Sequence, residues 1–234
     1  MVPHPATPVE ITGRVQLVRQ TIERVAREAG RDPSSVALMA VTKGVSQDAI
    51  LAAYAAGVRI FGENKVQEAA EKIPSLRPVC PDACWAMIGH LQSNKVNKTV
   101  QIFDEIHSVD SVDLAKRLNS SAEKLEKNLT VLIEVNSSGE PQKFGVSSEE
   151  ALLLVKSVNT LSKLKLHGLM TMGPGTDNGA DTRRAFASAK TVFDRFPSEN
   201  RLTLSMGMSG DYPLAIAQGA TMVRIGTALF GERN

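Results

Sequence analysis

Two cysteines, one tryptophan and two tyrosines are all that the 234 residues contain of those types, and each scarcity closes off a class of function. Cys80 and Cys84 stand in VCPDACW with no second pair and no adjacent histidine. That is not a zinc pattern, and a reducing compartment gives a structural disulfide little use; free, partly buried thiols are expected. His4, His107 and His167 lack the companions of a metal site. Aromatic residues make up 4 % of the chain, too few to stack nucleic-acid bases. Charge of neither sign dominates: 27 basic and 25 acidic residues leave a net +2, spread along the chain, which argues against nucleic acid as a partner. No apolar run approaches the ~18 residues of a membrane span, and the opening MVPHPATPVE has neither the basic nor the apolar region of a signal peptide. A cytoplasmic protein is expected, with an organellar location left open.

What is present is a core-forming chain, 42 % hydrophobic, long enough for one sizeable domain. Ile11, Val15, Val18, Ile22 and Val25 recur at helical spacing within residues 10–29 and Gly30 stops the run, which predicts an amphipathic opening helix. Short apolar runs then alternate with helical patterns. The expected strands are Val36 to Thr42, Arg59 to Gly62, Trp85 to Ile88, Glu105 to Val109, Thr130 to Asn136, Lys165 to Met172, Leu202 to Met206 and Thr221 to Ile225. Eight strands alternating with helices over such a length describe a single α/β (β/α)8 TIM barrel. An open doubly wound sheet would carry a glycine fingerprint after its first strand, and TKGVSQDA is not one. After the eighth strand only Gly226 to Asn234 remain, so the opening helix is expected to cover that side of the barrel. Residues 1–9 are read as a flexible N-terminal segment, 10–234 as the barrel domain, and GPGTDNGAD (173–181) as a flexible loop.

Barrels place their chemistry on the loops after the strands. There the pattern offers Lys43, Glu63, Asn64, Gly89, His90, Ser108, Asp110, Asn136, Met172, Met206 to Ser209 and Arg224 to Thr227. SMGMSGD and RIGT close strands seven and eight, where barrels bind phosphate with backbone N–H groups and hydroxyls. Lys43 alone reads as well as a solvated strand-end residue, and Arg224 alone as an ion pair with Asp211 or Glu63. A phosphate seat on the same face as a lysine instead fits a phosphorylated carbonyl ligand. Pyridoxal 5′-phosphate is one: its aldehyde condenses with an amine while its phosphate needs a cradle. Arg224 would then face the ring nitrogen; a guanidinium only donates, so the ring stays unprotonated and is a weaker electron sink. The four methionines from Met170 to Met208 fit a pocket wall or core better than a soft-metal site, and His90 fits a structural donor or a surface residue better than a catalytic acid.

AVTKGVS, RIFGENKVQEA, WAMIGHLQSNKVNK, IHSVDS, IEVNSSGEPQKFG, HGLMTMGP, LSMGMSGD and MVRIGTALFGER, in that order from about residue 36 to 233, resemble the successive motifs of the pyridoxal phosphate homeostasis protein family, itself related to the barrel domain of alanine racemases. The resemblance implies a single barrel with an extra N-terminal helix and a lysine Schiff base at Lys43. It implies Arg224 at the ring nitrogen and Ser209, Gly226 and Thr227 around the phosphate. Asn64 would lie near the cofactor, and Met172 would stand where the racemases place a ring-packing histidine. Departures from the family pattern fall at Gly44, Val45 and Ser46, at Lys65, and at Ala86 and Met87, all expected around the pocket mouth, where they bear on partner contacts.

Two functions compete. The first is a carrier that holds pyridoxal phosphate as a lysine aldimine and buffers or delivers it in vitamin B6 homeostasis, a monomer with pyridoxal-phosphate-dependent apoenzymes as recipients and no strong catalysis. The second is a pyridoxal-phosphate-dependent amino-acid racemase, which needs acid/base groups on both faces of the cofactor; beyond Lys43, Tyr212 is the candidate, since Tyr54 falls within a helix. An adaptor whose cofactor only stabilises a docking surface is a third reading.

Overall fold

The structure, a computed structural model, describes residues 6–176 and 178–232. Along the chain run α1 (Pro8–Glu28), β1 (Ala37–Val41), α2 (Gln47–Ala55), β2 (Ile60–Glu63), α3 (Val66–Leu76), β3 (Cys84–Met87), α4 (Val96–Ile102), β4 (Glu105–Val109) and α5 (Val112–Lys124). The second half adds β5 (Leu129–Glu134), α6 (Ser148–Val158), β6 (Leu164–Met170), α7 (Gly179–Asp194), β7 (Thr203–Ser205), α8 (Tyr212–Ala217), β8 (Met222–Ile225) and α9 (Thr227–Phe230). The eight strands pair in sequence order, all parallel, and β8 returns to β1 to close the barrel.

Local chemistry sets the helix ends. Thr7 accepts from the Glu10 N–H while Glu10 reaches back to the Thr7 N–H, and Pro8 fills the first turn, where no N–H is needed. The helix therefore starts at Pro8 rather than at 10; residues 1–5 of the expected N-terminal segment lie outside the described residues. Ser147 and Glu150 form the same reciprocal cap on α6, and Ser111 caps α5. Loop 173–181 is shorter than expected, because Asn178 caps α7 at Gly179.

Strand alternation sends side chains either to the outer layer or into the barrel. Phe61 and Trp85, register partners on β2 and β3, point outward and stack with ring centroids 5.0 Å apart under the helices. Met39, Ala86 and Met222 fill the interior. That interior is narrow: a Cβ on Gly62 would stand 2.7 Å from the Met39 sulfur and 2.9 Å from Ile88. Only glycine fits there. Past β8 the described residues make the four-residue α9, and α1 packs against α2, α8 and α9 on that side of the barrel. Both thiols are free, Cys80 buried and Cys84 partly so.

Candidate functional site

Val41 ends β1 two residues before Lys43, which stands exposed in the turn leading to α2. By alternation Val41 shares the interior face with Met39, and Lys43 follows in the turn at the strand-end side of the barrel. Gly44 takes φ 65°, a conformation other residues adopt only with strain. Ser46 then caps α2 by accepting from the Ala49 N–H. Beside Lys43, Thr42 is fully buried and its hydroxyl donates to Glu63 Oε1 at 2.8 Å. The next residue along β2's direction, Asn64, is half-buried, and its Oδ1 has no partner among the described residues. Gly89 lets the loop after β3 approach closely, since a Cβ there would meet the Asn64 carbonyl oxygen at 2.3 Å.

On β8, the strand paired directly with β1, Arg224 is the register partner of Met39 and is 4 % exposed. Its Nη1 donates to the Ser205 carbonyl and hydroxyl, both at 2.8 Å, and its Nη2 to the Thr171 carbonyl at 2.8 Å. Burial lowers its pKa to about 10, against the attraction of Glu134 and Asp211, so it stays charged near neutrality. The expected partner Glu63 is instead paired with Lys72 at 2.8 Å, while Asp211 acts on Arg224 only through space. The sequence reading missed Glu134, at the end of β5. It is 4 % exposed with Oε2 unpaired among the described residues. Burial, reinforced by Asp110 and opposed by Arg224, raises it to about 7. Ser108, at the end of β4, has a buried hydroxyl in the same unpaired condition. Unpaired buried polar atoms are rare because each costs desolvation, and Asn64, Ser108 and Glu134 bring three of them to the strand ends of β2, β4 and β5. Such an end has polar capacity to spare for a ligand.

Between β7 and β8 the Ser209 hydroxyl accepts the N–H groups of Gly226 at 3.3 Å and Ala228 at 3.2 Å. Thr227, between them, is exposed and Gly226 is buried. One oxygen thus gathers two backbone donors, an arrangement that an anionic oxygen would also satisfy. Met172, half-buried, follows β6. The structure brings Lys43, Asn64, Met172, Ser209, Arg224, Gly226 and Thr227 to the strand-end side of the barrel.

Two expectations need revision, while His90 stands in a structural pairing, the reading preferred for it from the sequence. Ala86 and Met87 do not stand at the mouth; they lie within β3, one in the interior and the other in the outer core. Tyr212 opens α8 and packs, 9 % exposed, into the large apolar cluster. His90 pairs with Asp110 at 3.4 Å and stacks on Phe144 with centroids 3.9 Å apart.

Residues 15–234 match the family described as "Alanine racemase, N-terminal domain". A pyridoxal phosphate homeostasis protein of Haemophilus influenzae is 41 % identical over 230 residues, covering 97 % of both chains; one from Synechocystis is 43 % identical over 204 residues, 86 % of this chain and 93 % of that one. Among solved structures, a protein of Bifidobacterium adolescentis superposes with TM-score 0.91 at 38 % identity, covering 95 % of each chain. PipY of Synechococcus elongatus, with pyridoxal phosphate bound, gives TM-score 0.79 at 41 % identity over 90 % of this chain and all of that one. Alanine racemase from Bartonella henselae shares the fold alone, at 18 % identity and TM-score 0.74, with 62 % of its length covered. Identity near 40 % across nearly the whole of both chains, on a closed barrel of the alanine racemase N-terminal type, places this chain in the pyridoxal phosphate homeostasis protein family.

Proposed function

We propose that this protein binds pyridoxal 5′-phosphate at the strand-end mouth of its barrel and serves intracellular pyridoxal phosphate homeostasis as a carrier. The observation that carries this reading is the convergence of three features on one end: the Lys43 amine, the paired N–H groups under Ser209, and a buried guanidinium held in place by Ser205 and Thr171. When bound, the cofactor supplies an aldehyde that condenses with a primary amine. Lys43 is the amine. Ser209, Gly226 and Thr227 receive the phosphate, Arg224 directs a donor at the ring nitrogen and brings it no proton, and Asn64 and Met172 line the pocket. Relatives named for this role and the PipY complex support the assignment. A monomeric carrier that hands the cofactor to apoenzymes is the form proposed.

The racemase reading requires an acid/base group opposite Lys43. Tyr212 is occupied in apolar packing, and the Tyr54 hydroxyl donates to Asp82, which also pairs with Arg59. Neither placement supplies that group, and this favours the carrier.

Borohydride reduction of the loaded protein followed by peptide mapping tests the assignment. The reduced cofactor is expected on the peptide holding Lys43. Label on Lys65 or Lys95 instead would remove Lys43 from its role.

A further inference from the structure

Lys72 projects from α3 beneath the turn that carries Lys43, with its side chain 10 % exposed. Its Nζ donates to the Thr42 carbonyl at 2.8 Å and to the Val45 carbonyl at 3.4 Å, one on each side of Lys43 in the chain. The same ammonium pairs with Glu63 at 2.8 Å and Glu68 at 2.7 Å. Both carboxylates return to the turn: Glu63 accepts the Thr42 hydroxyl at 2.8 Å, and Glu68 accepts the Gly44 N–H at 2.5 Å. Thr42, Gly44 and Val45, the residues surrounding Lys43, are thus each attached to one three-residue ionic cluster.

Stability alone does not account for this. Val66, Ala69, Ile73 and Leu76 already join α3 to the outer core by apolar burial, and a buried ion pair contributes little or negative net stability compared with apolar packing. Burial raises Glu63 against the pull of Lys72, a sign that the cluster costs desolvation. What apolar side chains lack is the means to hold individual carbonyl and N–H groups in place. The Thr42 carbonyl already closes the turn by accepting from the Val45 N–H at 3.1 Å, and Lys72 locks the closed form. Covalent capture by an amine depends steeply on where that amine stands, since a shift of about 1 Å can slow a reaction ~100-fold.

We propose that Lys72, with Glu68, is a positioning residue that fixes the backbone on both sides of Lys43 and thereby sets the rate at which Lys43 captures the aldehyde of pyridoxal phosphate, a condensation in which the neutral amine would form the C=N bond while the aldehyde oxygen leaves with both amine protons as water. The inference rests on the assignment of Lys43 given above. It predicts that disrupting the cluster slows capture without weakening the phosphate seat, because the bonds of Lys72, Glu63 and Glu68 run to Thr42, Gly44 and Val45 while Ser209 bonds Gly226 and Ala228.

Glu68→Ala, Lys72→Met and Lys72→Arg test it. Two quantities are read: the time course of borohydride-trappable cofactor on the Lys43 peptide, and the calorimetric affinity for pyridoxine 5′-phosphate, which has the phosphate and ring but no aldehyde. In Glu68→Ala and Lys72→Met, capture is expected to slow about tenfold or more while pyridoxine phosphate affinity stays within about twofold. Lys72→Arg should recover most of the rate, because the guanidinium keeps the charge and the donors. Capture at the wild-type rate overturns the proposal, as does a parallel fall of capture and pyridoxine phosphate affinity. Should Lys72→Met fail to fold, Glu68→Ala decides, since that side chain is 28 % exposed and its loss leaves the Glu63–Lys72 pair. Wild-type protein carrying no adduct on Lys43 would instead sink the underlying assignment, a result visible before any variant is made.

Discussion

Glu134→Gln should make the protein more stable at pH 8 than the wild type, relative to their difference at acid pH. Burial raises this carboxyl from its ordinary 4.5 to about 7, with Asp110 adding to the effect and Arg224 opposing it. The folded state therefore holds a proton that the unfolded chain has released. Stability rises with pH only where the unfolded state binds more protons; here the native state binds more, so the contribution is fully present below 4.5 and is lost as pH climbs to about 7. At ~1.4 kcal/mol per pH unit, a displacement from 4.5 to about 7 corresponds to about 3 kcal/mol. Asp211 and Glu63, also raised by burial, drift in the same direction, which is why the comparison is with Glu134→Gln rather than with one pH curve. Arg224, at about 10, keeps its charge across the window. Urea unfolding of cofactor-free wild type and variant at pH 4.5, 6 and 8 supplies the measurement, with equal slopes required in both. The stability difference should move by about 3 kcal/mol in favour of the variant between the extremes. Parallel profiles would refute the argument and show that Glu134 ionises without penalty, through water or a closer approach to Arg224.

Ser209→Ala and Thr227→Ala each remove a hydroxyl from the proposed phosphate seat; charge-assisted bonds contribute ~1.5–3 kcal/mol, so calorimetry should show pyridoxal phosphate affinity falling about tenfold or more per site, and unchanged affinity would place the phosphate elsewhere. Gly168→Ala would set a Cβ 1.9 Å from the Thr203 carbonyl oxygen, forcing β6 and β7 apart; urea unfolding should register a loss above ~2 kcal/mol, and a neutral result would mean that the strands separate freely. With L-alanine in deuterated water, loaded protein should leave the α-carbon almost unexchanged and Tyr212→Phe should change nothing, as befits a side chain in apolar packing; turnover at ~1–1000 per second would reverse the carrier reading.

The fold was legible because a parallel barrel repeats one simple signal. Each expected strand lies within two residues of the observed one, and β4 has the expected limits, Glu105–Val109. Apolar runs between turn residues mark buried strands whatever their neighbours are. Lys43, Ser209 and Arg224 were legible for a similar reason, since each closes or follows a strand that the pattern already located. Glu134, Thr171 and Ser205 were not. They matter through Arg224, and only the circular order β5-β6-β7-β8 brings strands tens of residues apart to one guanidinium. The Lys72 cluster was hidden differently: on a helix, Glu68 and Lys72 read as an ordinary solvated i,i+4 pair, and nothing in spacing reveals two backbone carbonyls waiting beneath it. Ala86 and Met87 were read as mouth residues but are buried in the core, because a departure from a motif says nothing of which way a strand side chain points.

The seal that α1 makes also dictates a timetable. Its apolar face, Ile11, Val15, Val18, Ile22 and Val25, lies against α2 on one flank and α8 and α9 on the other, so α1, once made, must wait for α8 and α9 before its groove exists. Until β8 docks on β1 the half-built barrel has two raw sheet edges and an unclaimed greasy helix, a species prone to association. Nascent chains stalled short of residue 222 should therefore be favoured clients for chaperones that bind exposed apolar segments, and the Arg14 bond to the Leu229 carbonyl at 3.3 Å is a latch that closes only once α9 has been made.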